Sequence, residues 1–221
     1  VASWVWAKLT WSRALFLLLA LNLLWTASLF IAPFTIPPGS FAHEVGGANT
    51  IDHEDIWQTF SLYPRAVYTF GDFQCHQLWS RSLWLNGNQL PIDARMTSMY
   101  IFANFGLVAA ALATPSTSTG QVMLNALPES VRRRLAKLGP EKAGALIVVI
   151  GLLPIAIDGF TQLFSSVTHY ESTNLTRILT GMPGGFVGGL LVGAMLVSMR
   201  QFSADLQMLR ARSASRAPQT R

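Results

Sequence analysis

The sequence predicts an all-α integral membrane protein with four transmembrane helices and an extracytoplasmic helix and β-hairpin cap between the first two. Three observations predict it. Hydrophobic residues are 51% of the 221 and charged residues only 12%, at a mean hydropathy of +0.36, a balance unlike that of soluble domains. The charges lie almost wholly between four apolar runs, because an unpaired charge in hydrocarbon is strongly disfavoured. Lys and Arg also alternate in density along the chain. There are two before the first run, three against six Asp and Glu before the second, five before the third, one before the fourth and five after it. The positive-inside rule then places both termini in the cytoplasm, with the chain in the cytoplasmic (inner) membrane.

The first run is 14–34, long enough to cross a hydrocarbon core of about 30 Å. Trp4, Trp6 and Trp11 precede it, where indoles favour the interface. Lys8 and Arg13 ahead of an apolar stretch raise a signal peptide as the rival reading. The run is too long for a typical signal core and IAPFTIPPGS is a poor cleavage site, so a retained helix ended by Pro37 and Pro38 is expected. A first residue of Val1 is read as a processed start or as a beginning inside a longer product.

The external segment 35–96 follows. In HEVGGANTIDHEDIWQTF, Glu44, Asp52, His53, Glu54 and Asp55 lack the ligand spacing of a calcium loop. Asp52 is expected to cap an interfacial helix carrying Ile56, Trp57 and Phe60, with His53 at its solvated start. The stretch 72–100 concentrates the chemistry. Asn86-Gly87 is a strong hairpin signal, since both positions of a type I′ turn need positive φ. Pairing outward from it sets Leu85 opposite Asn88 and Ser80 opposite Asp93. It also brings Cys75 and His76 towards Asp93, Arg95 and Met96.

The second run is 97–113, the third 143–164 and the fourth 181–199. Between the second and third, ESVRRRLAKLGPEK reads as a basic amphipathic surface helix over 128–139, with Val131, Leu135 and Leu138 at helical spacing. The basic tail 200–221 is poor in apolar residues and is expected to be disordered alone, held against anionic lipid. The pI of about 9.9 thus reflects basic cytoplasmic loops. No groove-reading helix or aromatic-basic platform suggests nucleic acid.

Candidate site residues fall into three groups. Gly181, Gly185, Gly189 and Gly193 recur every fourth residue and flatten one helix face for close packing, within the chain or against another subunit. Asp158, an acid inside the third run, calls for a partner, and Arg95 and Arg177 at the outer ends of neighbouring runs are the available cations. Asn22 and Asn104 read as interhelical hydrogen-bonding residues. Cys75 and His76 read either as a buried structural thiol with a hydrogen-bonded imidazole or as a metal corner. Cys75 is the only cysteine, which excludes an intramolecular disulfide and a zinc site built mainly of thiolates. His43, His53, His76 and His169 all lie outside the apolar runs, against ligation of a transmembrane haem by histidine.

Cys75-His76-Gln77, Arg81-Ser82, Gly87, Gln89-Leu90-Pro91, Ala94-Arg95, Thr97 and Tyr100 resemble the signature of an uncharacterised family of small membrane proteins, domain of unknown function 2085. Pro154, Asp158-Gly159, Thr161-Gln162, Asn174, Arg177 and Thr180-Gly181 match its later positions. The resemblance covers Phe70 to about Gly185 and implies fold and topology but no activity. The family pattern holds Cys, His and a C-x-x-C pair that looks like an external metal site. Here those two cysteine positions are Asp93 and Met96, and Ser98 stands where the family has glycine. A Cys75, His76, Asp93 and Met96 set would be a degenerate metal site, because Asp and Met prefer opposite kinds of ion. The hairpin and the ion-pair set Arg81, Arg95, Asp158 and Arg177 remain.

The function read from this is a non-enzymatic accessory or structural subunit of a larger membrane complex, of photosynthetic or respiratory energy conversion. It would pack against partner subunits and hold lipid, quinone or pigment, with metal unlikely. The alternatives are an external metal-binding or redox enzyme using Cys75, His76 and Asp93, and a small transporter using Asp158.

Overall fold

The computed structural model describes residues 2–42, 46–47, 49–165 and 169–216. His43 and Glu44 of the external segment lie outside them, as does the tail beyond Arg216. The protein is mostly helical. In chain order it contains α1 (Ala2–Thr10), α2 (Arg13–Ile31), α3 (Glu54–Trp57), α4 (Leu62–Gln74), β1 (Ser82–Leu85), β2 (Asn88–Asp93), α5 (Ala94–Leu112), α6 (Thr119–Asn125), α7 (Glu129–Leu135), α8 (Pro140–Leu163) and α9 (Asn174–Arg216). Four helical segments are long and apolar enough to cross a membrane: Arg13–Phe34, Ala94–Leu112, Pro140–Leu163 and Asn174–Ser213.

Local chemistry sets the helix limits. α5 starts earlier than the apolar run because the Asp93 carboxylate accepts from the Met96 N–H at 2.7 Å and caps the first turn. α8 opens on Pro140, whose missing N–H costs nothing in a first turn, directly after Gly139 at φ +81°. α9 extends well past 181–199 at both ends. Thr173 Oγ1 accepts from the Thr176 N–H at its start, and RQFSADLQMLRARSASR contains no breaker at its end. In the basic loop, the surface helix is a short α7 followed by a 3-10 turn at Ala136–Leu138.

The chain divides into two compact units. One comprises Val1–Leu19, Phe105–Ile150 and Val187–Arg221; the other comprises Ala20–Asn104 and Gly151–Phe186. The first has a core of small and aliphatic side chains, including Leu15, Leu107, Ala110, Val122, Met123, Ala143, Leu190, Ala194 and Val197. Gly193 lies so close to Ala110 that an added Cβ would come within 2.6 Å of its methyl.

The second unit holds the polar residues. Asn22 Nδ2 donates to the Tyr100 carbonyl at 3.1 Å and Asn104 Nδ2 to Thr26 Oγ1 at 3.1 Å, tying α2 to α5. Gly181 and Gly185 lie against α5, where a Cβ would overlap the Arg95 carbonyl and the Met99 backbone. Gly189 is buried. Gly181, Gly185 and Gly193 thus face the chain's own α5, whereas Gly184 meets Ile155 of α8.

The hairpin turns at Asn86 (φ +52°) and Gly87 (φ +70°), and Leu85 pairs with Asn88. Asp93 pairs with Ser82 rather than Ser80. The ladder is irregular between Ser82 and Trp84, where Pro91 on the facing strand has no N–H to give. The interfacial helix around Trp57 is also corrected. α3 is one turn long, Trp57 is fully buried and His53 is 6% exposed. Asp52 does not cap it: its carboxylate turns back to the Gly47 N–H at 2.5 Å and the Thr50 hydroxyl at 2.9 Å.

Candidate functional site

Two buried carboxylates organise the second unit. Asp158, 4% exposed on α8, accepts from Tyr170 OH at 2.7 Å, from Ser172 Oγ at 3.0 Å and from Arg95 Nη2. The donors come from α5 and from the segment ahead of α9. Arg177, 3% exposed, donates through Nε to the Ser172 carbonyl at 3.1 Å, so it braces the segment that serves Asp158 instead of pairing with the acid directly. Asn174 Nδ2 donates to the Ser82 carbonyl at 3.1 Å, which fixes β1 to the start of α9. Arg81 lies 4.0 Å from the exposed Glu171. Of the three arginines only Arg95 contacts the buried acid, and Arg177 Nη2 and Arg95 Nε have no hydrogen-bond partner. The Tyr170 hydroxyl titrates higher than usual, first because its proton is shared with Asp158.

The hairpin brings Cys75 to Asp93, whose N–H donates to Sγ at 3.3 Å, and Cys75 packs with Leu29, Ile92 and Met96. Burial first, then the nearby Asp93 carboxylate, pushes the thiol up to about 11. A thiolate nucleophile or metal ligand works with the opposite shift; Cys75 is a buried free thiol. Its neighbour His76 is exposed where Cys75 is buried. The Asp93 carboxylate is engaged in capping α5. Among the described residues, no three His, Cys, Asp or Glu side chains gather as a metal site.

The second buried carboxylate is one that sequence reasoning missed. Asp72, fully buried on α4, accepts through Oδ2 from the backbone N–H groups of Asp52 (3.0 Å) and His53 (3.1 Å) and from Trp57 Nε1 (2.8 Å). His53 Nδ1 lies 3.5 Å from its other oxygen. Phe41, Trp57 and Tyr68 pack around this node, with Trp57 stacked on Tyr68 at 5.2 Å. Tyr68 OH donates to the Gln89 carbonyl at 2.9 Å, and burial raises its hydroxyl far above the ordinary range. Gln77 Nε2 donates to the carbonyls of Tyr68 (3.2 Å) and Pro91 (2.6 Å). One signal was legible. Pro64, Val67, Tyr68, Gly71 and Asp72 recur at helical spacing, which sets Asp72 on the buried face of α4.

Four helical segments of membrane-crossing length and apolarity, with the buried acid Asp158 paired to Arg95, mark a membrane protein. The sequence profile of the family described as "Predicted membrane protein (DUF2085)" matches residues 75–191, more than half of the chain. The chain belongs to this family. It is similar to an uncharacterised protein of Methanocaldococcus jannaschii, 26% identical over 165 residues that make up 74% of this chain and 80% of the relative. It is also similar to an uncharacterised protein of Methanothermobacter thermautotrophicus, 30% identical over 111 residues, 50% of this chain and 77% of the relative. No solved structure matches. Arg95, which reaches Asp158, Arg177, which braces Ser172, and the Asn174–Ser82 pair are signature positions of the family resemblance, brought together from distant stretches of sequence.

Proposed function

We propose that the protein is a non-enzymatic structural subunit of a larger membrane complex, with both termini cytoplasmic and residues 35–96 external. The observation that carries this reading is the engagement of Asp158. Its two oxygens take donors from α5 and from the segment leading into α9, which is how a clamp is built; a proton carrier or general base needs a free lone pair facing a substrate. Cys75 and Asp93, the residues that would serve a redox or metal reading, are likewise engaged in packing and capping. Energy conversion is the setting this reading favours, with lipid, quinone or pigment held at subunit contacts. Purification from source membranes in mild detergent tests it, with mass spectrometry of co-purifying proteins and elemental analysis of the same sample. A fixed set of large partners without metal is expected. A lone chain carrying one metal per protein overturns it.

A further inference from the structure

α9 carries a feature that the clamp does not use. It is 43 residues long, roughly 60 Å at about 1.5 Å per residue, against about 30 Å of hydrocarbon. Between Arg177 and Arg200 it carries no charged side chain, so that stretch alone suffices to cross. Beyond Arg200 the helix carries Asp205, Arg210, Arg212 and Arg216, charges that favour water over hydrocarbon. Apolar side chains nevertheless remain exposed there: Phe202 at 56%, Leu206 at 38% and Leu209 at 58%. Lipid can cover apolar faces within the bilayer, such as those of α2 and α8, but not the faces of a helix whose length and charges carry it beyond the hydrocarbon.

These residues extend a regular stripe. Val192, Met195, Met199, Phe202, Leu206 and Leu209 alternate three and four residues apart, and all are exposed. They form the a and d positions of three heptads, with Val192, Met199 and Leu206 at a and Met195, Phe202 and Leu209 at d. Leu190, Ala194 and Val197, which pack into the chain's own core, lie on a different face. The flanking positions select the occupant. Asp205 falls at g and Arg210 at the following e, five residues on, the spacing at which g and e residues of two parallel, in-register helices meet. Two copies inserted in one membrane with the same topology present α9 in parallel.

We infer that α9 forms a parallel two-stranded coiled coil with the α9 of a second copy, so that the protein is a homodimer about an axis along the membrane normal. The seam is Met199–Leu209 with its extension into the bilayer, and Asp205 of each copy pairs with Arg210 of the other. This goes beyond the structural-subunit reading and rests on residues apart from the Asp158 clamp.

The full chain in native membranes tests it by oxidative cross-linking of single introduced cysteines, since the one native cysteine, Cys75, is buried. Leu206→Cys and Leu209→Cys are expected to give disulfide-linked dimers. Met208→Cys, equally apolar and exposed but off the seam, is not. In detergent, Leu206→Asp is expected to weaken dimerisation about 100-fold, as an unpaired charge at a core position does, with thermal unfolding of the monomer unchanged. Asp205→Arg or Arg210→Asp alone is expected to weaken it about three- to tenfold, and the two together to restore it. A monomer at every concentration overturns the inference. So does a dimer indifferent to Leu206→Asp, equal cross-linking at Met208, or strong quenching by brominated acyl chains of a tryptophan introduced as Phe202→Trp, which would place this end of α9 on lipid. Other subunits found in the native purification bear on the structural-subunit reading alone, so the two can fail separately.

Discussion

Asp72 and Asp158 are both buried acids in the same unit, and they are held by opposite means. Asp158 sits on a membrane-crossing helix and is neutralised by a cation, Arg95, with two hydroxyls completing its shell. Asp72 sits on α4, outside the crossing segments, and is held by two main-chain N–H groups and an indole. Where side chains do the holding, the arrangement joins elements far apart in sequence and its parts are replaceable. Where the main chain does it, the carboxylate dictates the path of the backbone itself, here the approach to α3. The difference predicts different responses to mutation.

The largest effect is expected at Asp72. Asp72→Ala leaves the buried N–H donors of His53 and Trp57 and the part-buried one of Asp52 unpaired, at about 1–3 kcal/mol for each buried one, a loss on the order of 4 kcal/mol. Thermal unfolding in detergent, followed by tryptophan fluorescence, should show a protein barely folded or unfolded at room temperature. No second substitution rescues it, because backbone amides cannot be mutated away. A mild phenotype would mean that water or another acceptor reaches these amides, and the contrast with Asp158 would fail.

Asp158→Ala strands Arg95 in a low-dielectric site and is expected to cost about 3–5 kcal/mol. Here rescue is expected. Asp158→Leu combined with Arg95→Met removes both charges and should unfold within about 1–2 kcal/mol of the native protein, as apolar replacements of buried ion pairs commonly do. A double variant as unstable as the single one would show that Tyr170, Ser172 and the bracing Arg177 carry the clamp.

These two sites also mark what a linear sequence discloses. Acids inside apolar runs are conspicuous, so Asp158 and its candidate cations could be named from the sequence, together with the four runs and the hairpin turn. The distribution of bonds could not. That Arg95 reaches the acid while Arg177 braces the Ser172 carbonyl depends on helix rotation, which hydropathy does not encode. Asp72 drew no notice because its partners are mostly main-chain groups, which every residue possesses. The early start of α5 was hidden for a related reason: Asp93 looked like a worn metal ligand, and its capping role shows only once β2 is seen to run straight into a helix. Pro91 displaced the hairpin pairing through an absent donor, an effect that counting outward from a turn overlooks.

Two glycines repeat the contrast at smaller scale. Gly71, one residue before Asp72, faces the Pro91 carbonyl so closely that a Cβ would overlap it. Gly159, one residue after Asp158, has nothing within 4 Å of an added Cβ. Gly71→Ala must push α4 from β2 and is expected to cost about 1–3 kcal/mol. Gly159→Ala fills open space on a helix and is expected to be neutral or to stabilise by up to about 1 kcal/mol. The same pair of melting curves measures both.

At neutral pH the smallest effect is expected at Cys75, whose contribution changes only as pH rises. Its thiol titrates near 11 in the folded chain against a usual 9.0, because burial and the Asp93 carboxylate disfavour the thiolate. Below pH 9 the thiol is neutral in both folded and unfolded states, so its contribution is fully present. Between pH 9 and about 11 the unfolded state releases the proton and the folded state keeps it, so stability is lost as pH rises. Cys75→Ser should remove that part of the alkaline loss and leave the remainder, a difference read from urea midpoints of the two proteins at pH 8 and pH 10.5. Maleimide labelling offers a second readout: native protein should react slowly at pH 7.5 and fully after denaturation. Rapid native labelling would mean a reactive thiolate, and the redox reading of this corner would then displace the structural one.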